Sequence, residues 1–106
     1  MKRLLIICLM FVSTNSFAAL SINQVATCFM TDVWISKLME KQGNQEAVKA
    51  YEQTALFWAE EGAKRFGGAT FDRAWKGVQS KVFNMTDNQL IATKQQCLKL
   101  MPETLK

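Results

Sequence analysis

Hydrophobic residues recur at three- and four-residue spacing through most of the chain after residue 18, which is the period of an amphipathic helix. Four segments show this period, and none alternates between apolar and polar residues as a strand would. Gly43, Gly67-Gly68 and a turn around Asn84 separate them. The pattern therefore predicts an all-α fold, a small four-helix bundle, in one domain spanning residues 19–106.

The first segment has an unusually wide apolar face. Ser21 and Gln24 have the spacing of a capping box, which predicts a helix start, and Gly43 predicts its end. The apolar positions cover a core stripe and both of its flanks: Ile22, Val25, Ala26, Cys28, Phe29, Met30, Val33, Trp34, Ile35, Leu38 and Met39. Such a helix is either the most enclosed helix of the bundle or part of an interface.

Three residues of this helix are candidate contacts for a partner protein. Met30, Trp34 and Leu38 lie on one flank, where a bundle helix would be expected to turn toward water. Trp is enriched among the residues that dominate binding energy at protein interfaces. We therefore predict Met30, Trp34 and Leu38 as partner-binding residues, and the alternative is that Trp34 belongs to the core.

The second segment is predicted to start at Asn44, whose side chain can cap a helix, and to end at Phe66 before the glycine pair. Trp58 lies on its apolar stripe and is predicted to be a core residue. Gly62 lies on the same stripe, and a glycine inside a helix costs about 1 kcal/mol relative to alanine. We interpret Gly62 as a point of close approach by another helix, with a local break as the alternative.

The third and fourth segments carry their own start signals. The third is predicted to begin after Ala69, with Thr70 as its N-cap. The fourth is predicted over residues 87–101, because Thr86 and Gln89 form a second capping-box pattern before it.

The N-terminal residues have no helical period and read as an export signal instead. Lys2 and Arg3 precede an uninterrupted apolar run over residues 4–12, and Ser16 and Ala18 occupy the small-residue positions of a cleavage site. The run is about half of the ~20 residues that a membrane-spanning helix needs. We predict a cleaved bacterial signal peptide at residues 1–18, a periplasmic or secreted product, and no stable membrane span in the mature protein.

Removing the signal peptide changes the charge. The formal net charge falls from +4 to +2 when Lys2 and Arg3 are lost, and the remaining basic residues are dispersed. A nucleic-acid-binding surface needs a basic stripe that follows the phosphates. The sequence therefore predicts no nucleic-acid partner.

The cysteine count falls from three to two, leaving Cys28 and Cys97. An even pair in an exported chain predicts a disulfide, here between the first and last helices. Closing a loop of about seventy residues stabilises a fold by about 4 kcal/mol in the chain-entropy model. The chain contains no His, and two distant Cys residues lack the spacing of zinc ligands, so neither a metal site nor a cofactor is predicted.

Candidate catalytic groups are few. Without His, a general base would have to come from carboxylates, Lys or Tyr51, and no nucleophile or phosphate-binding motif occurs. We therefore expect no enzyme. The leading hypothesis is non-catalytic protein binding in the periplasm, as by an immunity protein or other inhibitor, a chaperone or an accessory factor. The alternative is a carrier that holds a small apolar ligand between its helices.

Overall fold

The computed structural model of the chain describes residues 20–102, which form four α-helices joined by short turns. These are α1 (Ile22–Lys41), α2 (Gln45–Phe66), α3 (Gly68–Phe83) and α4 (Asp87–Leu100). No strand occurs within residues 20–102, and the predicted all-α, four-helix fold is confirmed. The predicted signal peptide lies outside the described residues.

Side chains cap three helix starts as predicted. The Ser21 hydroxyl accepts from the Gln24 backbone N–H at 3.1 Å, and the Gln24 side chain accepts from the Ser21 N–H at 2.8 Å. Thr86 and Gln89 form the same reciprocal pair before α4, at 3.2 and 2.9 Å. Asn44 caps α2. Each cap satisfies backbone donors that have no partner inside their own helix.

The structure corrects the predicted start of α3. Thr70 is not its N-cap but lies in the first turn of the helix, which begins at Gly68. Gly67 alone separates α2 from α3, and its φ of +87° is a conformation that favours glycine. Because the chain changes direction at this one residue, α3 starts without a side-chain cap.

The prediction for Gly62 is confirmed. Gly62 is buried in α2, and the Phe71 ring of α3 packs directly on it. A Cβ atom at this position would lie 2.4 Å from the ring carbons, well inside van der Waals contact. The missing side chain therefore lets α3 approach α2, and α2 continues through Gly62 without a break.

The central helix is α1. Helices α2, α3 and α4 all pack on it, and α2 and α3 also pack on each other. Eight residues of α1 are buried, more than in any other described helix. Of the two alternatives for its wide apolar face, the most enclosed helix is the one observed. Twelve of the fourteen buried hydrophobic residues in the described part of the chain form two clusters: Leu20, Val25, Ala26, Cys28, Trp58, Phe71, Cys97 and Met101 in the first, and Met30, Ile35, Val82 and Leu90 in the second.

A disulfide joins Cys28 of α1 to Cys97 of α4, with the two Cα atoms 5.6 Å apart. Both residues are buried in the first cluster. The predicted covalent link between the first and last helices is confirmed.

Candidate functional site

An open groove separates α2 from α4. Both helices pack on α1, but no comparable contact joins α2 to α4 in the part of the chain that the structure describes. The space between them measures about 520 Å³. Most of its lining comes from α1 and α4, and α2 contributes Tyr51.

The lining of the groove is mostly apolar, with polar groups among it. Ile91 of α4 is 56% exposed there, although its neighbour Leu90 is buried. One exposed aliphatic side chain is ordinary, but one set in a concave apolar surface is typical of a binding site. The lining residues are Ile35, Leu38, Met39, Gln42, Tyr51, Asp87, Leu90, Ile91, Lys94 and Gln95.

A buried ion pair joins α4 to α1 beside this groove. The Lys94 Nζ atom donates to Asp32 Oδ1 at 2.5 Å, and it lies 5.2 Å from the centroid of the Tyr51 ring. The Asp32 side chain is fully buried, whereas that of Lys94 is 12% exposed. The ammonium is therefore held by a carboxylate from α1 and the face of an aromatic ring from α2.

Burial raises the pKa of the Asp32 carboxyl above its ordinary value, because the charged form loses its hydration. The hydrogen bond and charge of Lys94 act in the opposite direction, and so does the Thr54 hydroxyl. The contribution of Thr54 is small on geometric grounds, since its hydroxyl donates to the Tyr51 carbonyl at 3.0 Å. Asp32 Oδ2 accordingly has no hydrogen-bond partner among the described residues.

The two members of the ion pair are placed differently relative to the groove. Lys94 lines it, but Asp32 does not. The groove thus offers a ligand apolar contact, the amides of Gln42 and Gln95, the partly exposed Lys94 and the Asp87 carboxylate.

The predicted partner-binding residues fall in three different environments. Met30 is buried in the second core cluster, so its side chain is not at the surface. Trp34 is half-buried, with its ring centroid 4.5 Å from that of Phe83 and 5.9 Å from Lys41 Nζ. Leu38 is half-buried and lines the groove. Trp34 and Leu38 remain predicted partner contacts, whereas Met30 serves the core.

Sequence reasoning missed the ion pair, although both residues carry a detectable pattern. Asp32 is the only charged residue from Ile22 to Ser36, and it lies in the middle of the widest apolar face. Lys94 falls in register with the inward-facing Leu90 and Cys97 of α4. A charge on each of two apolar stripes is a pattern that a buried pair would explain.

Residues 20–102 contain no group of three or more His, Cys, Asp or Glu side chains able to hold a metal ion. In the same stretch, no helix has both the length and the hydropathy required to cross a membrane.

No protein-family model, curated protein or solved structure matches the chain. A function for this chain is therefore inferred from its fold and from the geometry of the groove.

Proposed function

We propose that this chain is a small exported protein that acts by non-catalytic binding of a protein partner in the groove between α2 and α4. The observation that carries the proposal is the packing of α2 and α4. Both pack on α1, their contact with each other in the described residues is limited to side chains such as Lys94 and Tyr51, and a concave, mostly apolar surface of about 520 Å³ lies open between them. Apolar surface of this kind releases water when a matching surface covers it.

The partner segment we propose is an amphipathic helix. A groove bordered by helices is filled by ridge-into-groove packing of another helix, with anchor side chains at three- and four-residue spacing. Ile91 and Leu38 provide the apolar contact. Asp87 has no ion-pair partner among the described residues, so it favours a Lys or Arg beside the apolar face of the partner.

The disulfide supports export. Disulfides persist in oxidising compartments such as the bacterial periplasm and are rare in the cytosol. A periplasmic protein-binding role is consistent with an immunity protein, a chaperone or an accessory factor, which differ in the identity of the partner.

Site-specific photo-crosslinking in the producing bacterium tests the groove. A benzophenone amino acid placed at Ile91 is expected to crosslink one defined protein. The matched control is Leu56, which is 61% exposed but lies in a separate depression between α1 and α2. Crosslinking of the same protein from both positions, or from Leu56 alone, would contradict the proposal.

Introducing a negative charge at position 91 or 56 measures how much each position contributes to binding. Ile91→Glu is expected to weaken binding of the crosslinked protein by about tenfold or more, because a carboxylate must be desolvated in the apolar contact. Leu56→Glu is expected to leave it unchanged. Equal effects of the two variants would mean that the groove is not the binding surface.

The volume of the groove also lies within the range of about 300–1,000 Å³ found for small-molecule sites, which favours the carrier as second candidate. Native mass spectrometry distinguishes the two functions. A carrier purified gently from the periplasm would retain a ligand mass, and Ile91→Glu would reduce that occupancy.

A further inference from the structure

We propose that the Cys28–Cys97 disulfide is a redox-sensitive clasp for α4. When the bond is formed, α4 is held on α1 and forms one wall of the groove. When it is reduced, α4 leaves α1 while α1, α2 and α3 stay folded. The release of α4 is independent of the proposed function, and only its consequence for partner binding rests on that function.

Helix α4 has few attachments of its own. It packs on α1, with no comparable contact to α2 or α3 among the described residues. Of the fourteen buried hydrophobic residues within residues 20–102, only Leu90 and Cys97 belong to α4, and Met101 follows directly after it. Every other member of the core lies in α1, α2 or α3, or is Leu20 just before α1. Most side chains of the core therefore come from the three-helix part.

The disulfide and the buried ion pair lie close together between α1 and α4. Cys28 and Asp32 are four residues apart on α1, and Lys94 and Cys97 are three apart on α4, so the two links lie about one helical turn from each other. The ion pair is a weak attachment, because enclosing its charges offsets most of their attraction, and the contact of Lys94 with the Tyr51 ring of α2 adds little to it. Asp32 Oδ2 also lacks a hydrogen-bond partner in the described structure. The covalent bond is therefore the principal link.

Release of α4 is expected to unfold it. It has 14 residues, and isolated helices of this length are marginal in water. Its capping box satisfies its first turn but creates no contact with α1. In contrast, Val25, Trp58 and Val82, whose side chains are fully buried, all belong to α1, α2 and α3, and we expect their mutual packing to hold these three helices together. Reduction should thus open one element rather than the whole domain.

A dithiol can perform this reduction with balanced chemistry. Its thiolate attacks one sulfur of the Cys28–Cys97 bond and forms a mixed disulfide, and its second thiol then displaces that cysteine. The products are two protein thiols and the oxidised dithiol. Both cysteines are 2% exposed and line a surface depression of about 200 Å³ with Gln24, Thr27 and Gln96 as polar neighbours, so we expect a reductant to attack from this side.

Hydrogen exchange followed by mass spectrometry tests the clasp on the purified protein, oxidised and after dithiothreitol treatment. We expect the amides of α4 to exchange at least tenfold faster after reduction, with those of α2 and α3 unchanged. The double variant Cys28→Ala/Cys97→Ala should reproduce the reduced pattern without reductant. Continued protection of α4, or loss of protection in all four helices, would overturn the proposal.

This measurement needs no partner protein. If α4 is released but no protein crosslinks to position 91, the proposed function fails and the clasp stands. If a protein crosslinks there and α4 stays protected after reduction, the clasp fails and the proposed function stands. If the clasp and the proposed function both hold, reduction of the disulfide should also abolish the crosslink from position 91, because α4, which carries this position, has left α1.

Discussion

Asp32 has the least typical environment of the charged side chains that the structure describes. It is enclosed in α1 and partnered by a lysine 62 residues away in the sequence. Its position as the single charge in an apolar stretch is visible in the sequence. The identity of its partner is not, because that depends on how α4 docks on α1, and helical periodicity contains no information on docking.

The raised pKa of Asp32 makes stability depend on pH in a defined direction. The folded state binds this proton more tightly than the unfolded state, so the stabilising contribution is complete below the ordinary pKa of 3.8. It is lost as the pH rises from there through the raised folded pKa. Relative to Asp32→Asn, which carries no titrating group, the natural protein should lose free energy of unfolding over this interval. Urea unfolding at a series of pH values measures the difference.

The comparison between the two chains cancels the other carboxylates, which they share. Asp72→Asn serves as a control for the loss of an ion-paired carboxylate at the surface, since Asp72 and Lys76 form an exposed pair that contributes little. A gain in the relative stability of the natural protein with rising pH would show that Lys94, and not burial, dominates the titration of Asp32.

Helix boundaries were predictable wherever a cap is a local interaction. The hydroxyls of Ser21 and Thr86 and the Gln side chains three residues later satisfy each other within one turn, so the sequence spacing is sufficient. The start of α3 was not predictable in this way. The left-handed conformation of Gly67 joins α2 to α3 through one residue, and Thr70 is left inside the helix although its type and position suit a cap.

The two threonines give a matched test of this distinction. Thr86→Ala removes the capping box of α4 and is expected to lower the free energy of unfolding by about 1 kcal/mol. Thr70→Ala removes an exposed hydroxyl that caps no helix, and its effect is expected to stay within about 0.5 kcal/mol. Urea unfolding of both variants checks this. An equal or larger loss for Thr70→Ala would mean that its hydroxyl stabilises α3 in solution.

The arrangement of the whole molecule follows from the central position of α1. Its wide apolar face was recognisable in the sequence, and such a face can be covered by several neighbours. The contacts between those neighbours depend on the tertiary structure. One of them is set at Gly62, where the missing Cβ allows Phe71 to bring α3 onto α2. Among the described helices, α4 then packs mainly on α1, and the groove exists because of that asymmetry. Leu38 was predicted as a contact from its flank position, whereas Ile91 becomes notable only beside the groove.

Export and disulfide formation should each change the mass of the mature protein by a defined amount. If residues 1–18 are removed and Cys28 is bonded to Cys97, the mass of the periplasmic product should equal that of residues 19–106 less two hydrogen atoms. The denatured, unreduced protein should then contain no titratable thiol. The variant Cys97→Ala leaves Cys28 unpaired and should give one thiol per chain, which calibrates the titration. A thiol in the natural protein together with the mass of the full chain would indicate that Cys8 is retained, and the export proposal would then be wrong.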